Sequence, residues 1–190
     1  MTKVFKYLLF FILLFTGESF CTTHMFIEYK VQFCIDNEGM KGLFVQWTLD
    51  QVYSSFIKEK FDVDKNTVLS RDEQSAIFTS AFNLFKDNNY FAVLSDNGKN
   101  LPVPQPQQFN ARFEKTTGLA SYSFFLPLYI PLAHETHAVQ AYFFDPVVDA
   151  TFTITEKDVT IQNKSKLVQA VPGIKIAGHI NHPTVTLKKP

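Results

Sequence analysis

From Met25 the chain alternates: Ile27, Tyr29, Val31, Phe33 and Ile35 are apolar, with Glu28, Lys30, Gln32 and Cys34 between them. Period two is the pattern of a strand with one face buried. Asn37-Glu38-Gly39 supplies a turn, and Leu43, Val45, Trp47 and Leu49 then alternate again, so this stretch predicts a β-hairpin. After it the period lengthens. Val52, Tyr53, Phe56 and Ile57 recur at helical spacing behind Asp50, a side chain suited to capping a first turn. A second stripe, Gln74, Ile77, Phe78, Ala81, Phe82 and Phe85, ends near Asn88-Asn89. A helical hairpin over about 50–88 therefore interrupts the sheet.

Strands resume at 90–94, and Asp96-Asn97-Gly98 marks a tight hairpin turn. Pro102, Pro104 and Pro106 indicate an edge or loop, because proline cannot donate to a central ladder. Alternating runs follow at 109–113, 119–128, 138–144, 151–155 and 159–162; residues 163–178 look looser, and 183–187 read as a last strand. Roughly eight short strands at regular spacing point to a sandwich. The predicted fold class is α+β: an antiparallel β-sandwich-like body with an inserted helix–loop–helix (EF-hand-like) hairpin.

The segment before Met25 reads differently. Lys3 and Lys6 precede an apolar run from Tyr7 to Phe15, too short to span a bilayer, and small residues follow. That is the layout of a secretory signal peptide, residues 1–21, with 22–190 as one exported, periplasmic domain. Cleavage fits after Cys21 or after Ser19; an uncleaved anchor is the other reading. Phe20 disfavours Cys21 as a lipidated residue. Cleavage after Cys21 leaves Cys34 without a partner for an internal disulfide.

Composition narrows the function classes. The 18 basic and 18 acidic side chains cancel, so nothing draws the chain to nucleic acid in general. A hydrophobic content of 46% against 19% charged excludes a disordered chain. Gly-x-Ser-x-Gly, a phosphate-binding glycine loop and Cys-x-x-Cys are all missing, and Cys34 has no basic neighbour to activate it. The sequence predicts a protein that is not an enzyme.

The chemistry lies between the two helices. Asp62, Asp64, Asn66, Ser70 and Glu73 put oxygen donors at positions 1, 3, 5, 9 and 12 of a twelve-residue loop, with the Val68 carbonyl at position 7. Calcium is a hard ion that takes about six to eight oxygens, and alternate residues of a tight loop can surround it while Glu73 closes the site. Thr67 departs at position 6, where glycine permits the sharp turn; a β-branched residue at positive φ costs on the order of 1–3 kcal/mol. A simpler account covers part of the pattern, with Ser70 and Glu73 forming a capping box at the second helix.

Thr23-His24-Met-Phe-Ile-Glu28, Val45-Gln-Trp47-Thr-Leu-Asp50, the EF-hand-like loop and Tyr142-Phe-Phe-Asp145-Pro146 occur in that order. Together, from about residue 23 to at least 160, they resemble a bacterial family of unknown function described as the periplasmic component of an uncharacterised ABC-type transport system. The resemblance implies export, and partnership with an inner-membrane metal permease of nickel/cobalt type. Members commonly start His-Pro-His after the signal peptide. Here Thr22-Thr23-His24 stands there, so only His24 matches and an implied N-terminal metal site is weakened.

His24 has a chemistry of its own. A mature start at Thr22 places its imidazole third from a free amine, and amine, amides and imidazole can enclose copper or nickel in a square plane. The ordinary alternative is a histidine at a strand start. His134 with His137, and His179 with His182, share an i, i+3 spacing that could hold nickel, cobalt, copper or zinc, or be surface loop histidines. Asp145 reads as a turn residue that could lie beside His24. The reading is an exported accessory or metal-binding component of a metal-ion transport system with a calcium site. The alternative is an exported calcium-stabilised structural or interaction module with no transport role. After signal cleavage neither is an integral membrane protein.

Overall fold

The computed structural model describes residues 24–131, 136–146, 150–166, 168–177 and 180–188. The expected signal peptide, Thr22, Thr23, His134 and His179 lie outside the described residues. The hairpin of β1 (Met25–Ile35) and β2 (Gly39–Leu49) leads into α1 (Gln51–Phe61) and α2 (Arg71–Ser80). A 3-10 stretch, Phe82–Phe91, connects to β3 (Ala92–Asp96), β4 (Lys99–Leu101), β5 (Gln107–Phe113) and β6 (Ala120–Pro131). Then come β7 (His137–Phe143), β8 (Ala150–Thr153), β9 (Val159–Asn163), β10 (Gln169–Ala177) and β11 (Ile180–Lys188). No helix among the described residues is long and apolar enough to cross a membrane.

The strands form two sheets. One runs β5-β6-β2-β1-β8, with β9 also on β1; the other runs β10-β11-β7-β3-β4. Their inner faces meet through aromatic rings: Tyr29 and Trp47 of the first sheet lie 5.0 and 5.3 Å from Phe143 of the second, both edge to face. The fold is the α+β, sandwich-like class that the alternation predicts. Most pairings are antiparallel, but β8 and β9 both run parallel to β1, along its first and second halves.

Several boundaries move for physical reasons. The second helix stops at Ser80 because Ala81 leaves helical geometry (φ −128°), and the chain dips so that Phe82 is fully buried. The strand expected from Tyr90 begins at Ala92, because Asn89, Tyr90 and Phe91 all have positive φ and turn the chain left-handed. The stretch 163–178 contains β10, an outer strand that among the described residues pairs only with β11. The Asn97-Gly98 turn has positive φ at both residues, as a tight two-residue hairpin requires.

The helical hairpin is fastened to the first sheet at two corners. Asp50 caps α1 by accepting from Tyr53 N–H, and its other oxygen accepts from Phe26 N–H at 2.8 Å. Ser54, buried on the inner side of α1, donates its hydroxyl to the Leu49 carbonyl and accepts the Ala120 N–H at 2.8 Å. Ile57, Phe61, Leu69 and Ile77 then drop into the core and fix the loop between the helices. Ser54→Ala leaves the buried Ala120 N–H without an acceptor, which costs about 1–3 kcal/mol. Urea denaturation should show that loss as a lower midpoint with an unchanged slope.

Candidate metal centre

The loop from Asp62 to Glu73 has a backbone that its own side chains organise. Asp62, almost wholly buried, accepts from Asn66 N–H and Thr67 N–H at 3.1 Å each. Asp64 accepts from Asn66 N–H, and Asn66 in turn accepts from Val68 N–H. These bonds wind the chain into a tight coil, with Lys65 (φ 57°) and Thr67 (φ 64°) in the left-handed region. Thr67 thus sits in the conformation that glycine would adopt freely.

Glu73 reaches back across the loop. One carboxylate oxygen accepts from Val63 N–H at 2.7 Å and the other from Ser70 N–H at 2.8 Å, while Ser70 Oγ accepts from Glu73 N–H. The capping box at α2 is therefore complete. It does not account for the rest. One carboxylate oxygen each from Asp62, Asp64 and Glu73 lie within 4.8 Å of one another, the spacing of groups that could hold a metal ion. A carboxylate oxygen has two lone pairs, so the N–H bonds that aim Glu73 leave it able to meet a cation. Asn66 and Ser70 flank the three acids in the same loop, and the Val68 side chain is exposed.

The other candidate residues are scattered. His24 Nε2 lies 2.7 Å from Thr151 Oγ1 on β8, and its ring stands edge to face with the exposed Phe26. His137 Nδ1 meets Asp96 Oδ2 at 2.7 Å at the end of the second sheet. His182 stacks on Tyr142 with centroids 3.9 Å apart, and burial lowers its pKa. Asp145 is half-buried just past β7. Burial pushes the Cys34 thiol up, away from a reactive thiolate. Among the described residues, the group of three or more His, Cys, Asp or Glu side chains close enough to hold an ion is Asp62, Asp64 and Glu73.

One feature had no sequence signal. A cleft of about 880 Å³ opens beside the loop, bounded by Thr67, Val68 and Leu69 on one side and by Arg112, Phe113 and Lys115 on the other. Only the folding of β5 against α2 brings these segments together.

The Ser70 N–H first, and then the Val63 N–H, hold the Glu73 carboxyl below its usual range. The charged form is thus favoured by folding. Its contribution is complete above the unfolded pKa of about 4.3 and is lost as pH falls through the lower folded value. In chelator, wild type should lead Glu73→Gln in urea midpoint at neutral pH, and the two should converge as the solution is acidified below about pH 4.

The family described as "Protein of unknown function (DUF1007)" matches residues 7–177. No curated protein matches the chain.

Proposed function

We propose a function from one premise: the chain belongs to the DUF1007 family, proteins of unknown function. It is an exported, non-enzymatic accessory or metal-binding component of a metal-ion transport system of nickel/cobalt type. Its first 21 residues direct it to the periplasm, and a structural calcium ion occupies the loop 62–73. The observation that carries the calcium site is the convergence of Asp62, Asp64 and Glu73 within 4.8 Å on a loop already wound at Lys65 and Thr67. Asn66, the Val68 carbonyl and Ser70 complete the oxygen set. The transport role rests on the resemblance carried by the His24, Trp47 and Asp145-Pro146 segments, and its partner is an inner-membrane metal permease.

An ion held by both helices' ends stabilises the hairpin. A ligand that binds only the folded chain adds RT ln(1 + [L]/Kd), about 2.7 kcal/mol at 100-fold excess over Kd. The melting temperature should therefore rise between chelator and millimolar Ca²⁺, and the rise should disappear in Asp62→Asn. Identical melting in the two solutions overturns the calcium site.

The second reading is an exported calcium-stabilised structural or interaction module without a transport role. It is favoured by the separation of the histidines: His24 contacts Thr151, and His137 contacts Asp96. Transition-metal binding apart from the calcium loop decides between the two. His24 spends Nε2 on Thr151, and the chelate with its own amide nitrogen uses Nδ1. If Edman sequencing finds Thr22 at the mature N-terminus, Cu²⁺ or Ni²⁺ should bind in excess Ca²⁺, more weakly as pH falls and not at all in His24→Ala. Equal binding by wild type and His24→Ala removes this site.

A further inference from the structure

β5 is the outer strand of the first sheet, and half of its backbone groups face away from β6. Which half is fixed by two bonds. Ala111 N–H points outward to Gln74 Oε1, 3.4 Å away on α2. Ala120, the register partner of Phe113, turns its N–H to Ser54 rather than to β5. Ala111 and Phe113 therefore direct their N–H and C=O groups to the free edge. Among the described residues only the Ala111 N–H finds an acceptor there. Gln74 stands where the carbonyl of an added strand would stand, and past it the Phe113 groups are open.

That open edge borders the 880 Å³ cleft. Val68, Leu69 and Phe113 give the cleft an apolar lining, and Lys58, Arg112 and Lys115 surround it with positive charge. Its one lining acid, Glu114, is paired with Arg112 at 2.9 Å. An unpaired strand edge beside a groove is the geometry by which an extended peptide adds as one more strand, the backbone supplying affinity and the flanking side chains specificity.

We propose that this cleft docks an extended, acidic segment of a partner polypeptide, which continues past Gln74 to pair with the outward Phe113 groups while its carboxylates meet Lys58 and Lys115. The stretches 1–23 and 188–190 are basic on balance, with Lys3 and Lys6 against Glu18 in one and Lys188 and Lys189 in the other, and so do not suit it. A second copy paired edge to edge through β5 would bring the same cations together, which like-charge repulsion opposes. The calcium loop lends Thr67, Val68 and Leu69 to one wall of the cleft, so the binding is measured at fixed Ca²⁺.

The test uses the full mature chain and a fluorescein-labelled alternating Glu-Val hexapeptide, read by anisotropy. The peptide should bind, more weakly as salt rises. Affinity should fall tenfold or more in the double variant Lys58→Glu with Lys115→Glu, and equally when alternate amides of the peptide are N-methylated. The Lys-Val counterpart should not bind. Amide chemical shifts should move at Ala111 and Phe113 and stay fixed at β10, a readout that holds even if one variant folds poorly. No binding at millimolar peptide, or binding indifferent to both the charge reversal and N-methylation, overturns the proposal. So does a dimer in light scattering that Phe113→Pro disperses, which would assign the edge to a second copy.

Discussion

Trp47 is wholly buried and touched by rings from every layer. Phe124 of β6, Phe143 of β7 and Phe152 of β8 stand within 5.2–5.4 Å, and Phe82 and Phe85 approach from the 3-10 stretch at 5.6 and 6.4 Å. Its Nε1–H has no hydrogen-bond partner among the described residues, a cost on the order of 1–3 kcal/mol. Aromatic pairs contribute about 0.5–1.5 kcal/mol each beyond burial, enough to offset it. Both sheets and the helical insertion converge on this one side chain. Fixing it fixes where β2 ends, and so where Asp50 and Ser54 can seize the start of α1.

The loop inherits its shape from that frame. With Ile57 and Phe61 packed on one side and Leu69 and Ile77 on the other, the residues between them must reverse direction in a short span. Two left-handed residues and three carboxylates drawn close together are the result. Thr67 holds a conformation costly to a β-branched residue, and the like charges of the acids oppose their gathering. Both are tolerated because the core leaves the chain no other path. A cation relieves the second of these tensions and glycine would relieve the first.

The sequence disclosed what is local. The first hairpin, the Asp50 cap, the Ser70–Glu73 box and the order of donors from Asp62 to Glu73 all depend on neighbours within about a dozen residues. It disclosed less where distant packing rules. Tyr90 and Phe91 have strand-forming side chains, yet contacts with Phe82 and Phe152 hold them in a left-handed turn. β10, with Pro172 and Gly173 inside it, lacks the alternation of a central strand because it pairs on one side only. The parallel direction of β8 and β9 has no trace in periodicity, since burial alternates alike for either direction. The cleft at β5 left no local pattern either: Lys58 and Lys115 both line it from positions more than fifty residues apart.

The parallel seam on β1 has a consequence for how the protein is born. Its hairpin partner β2 follows at once, but the strands that cover its other edge begin at Ala150 and Val159. At about 5–20 residues per second of synthesis, the interval between making β1 and making its cover is on the order of ten seconds. Throughout it, a ribbon bearing Tyr29, Val31 and Phe33 presents unpaired backbone to its surroundings. The first strand made thus waits longest for its second partner, and it is the part that whatever escorts the chain must shield.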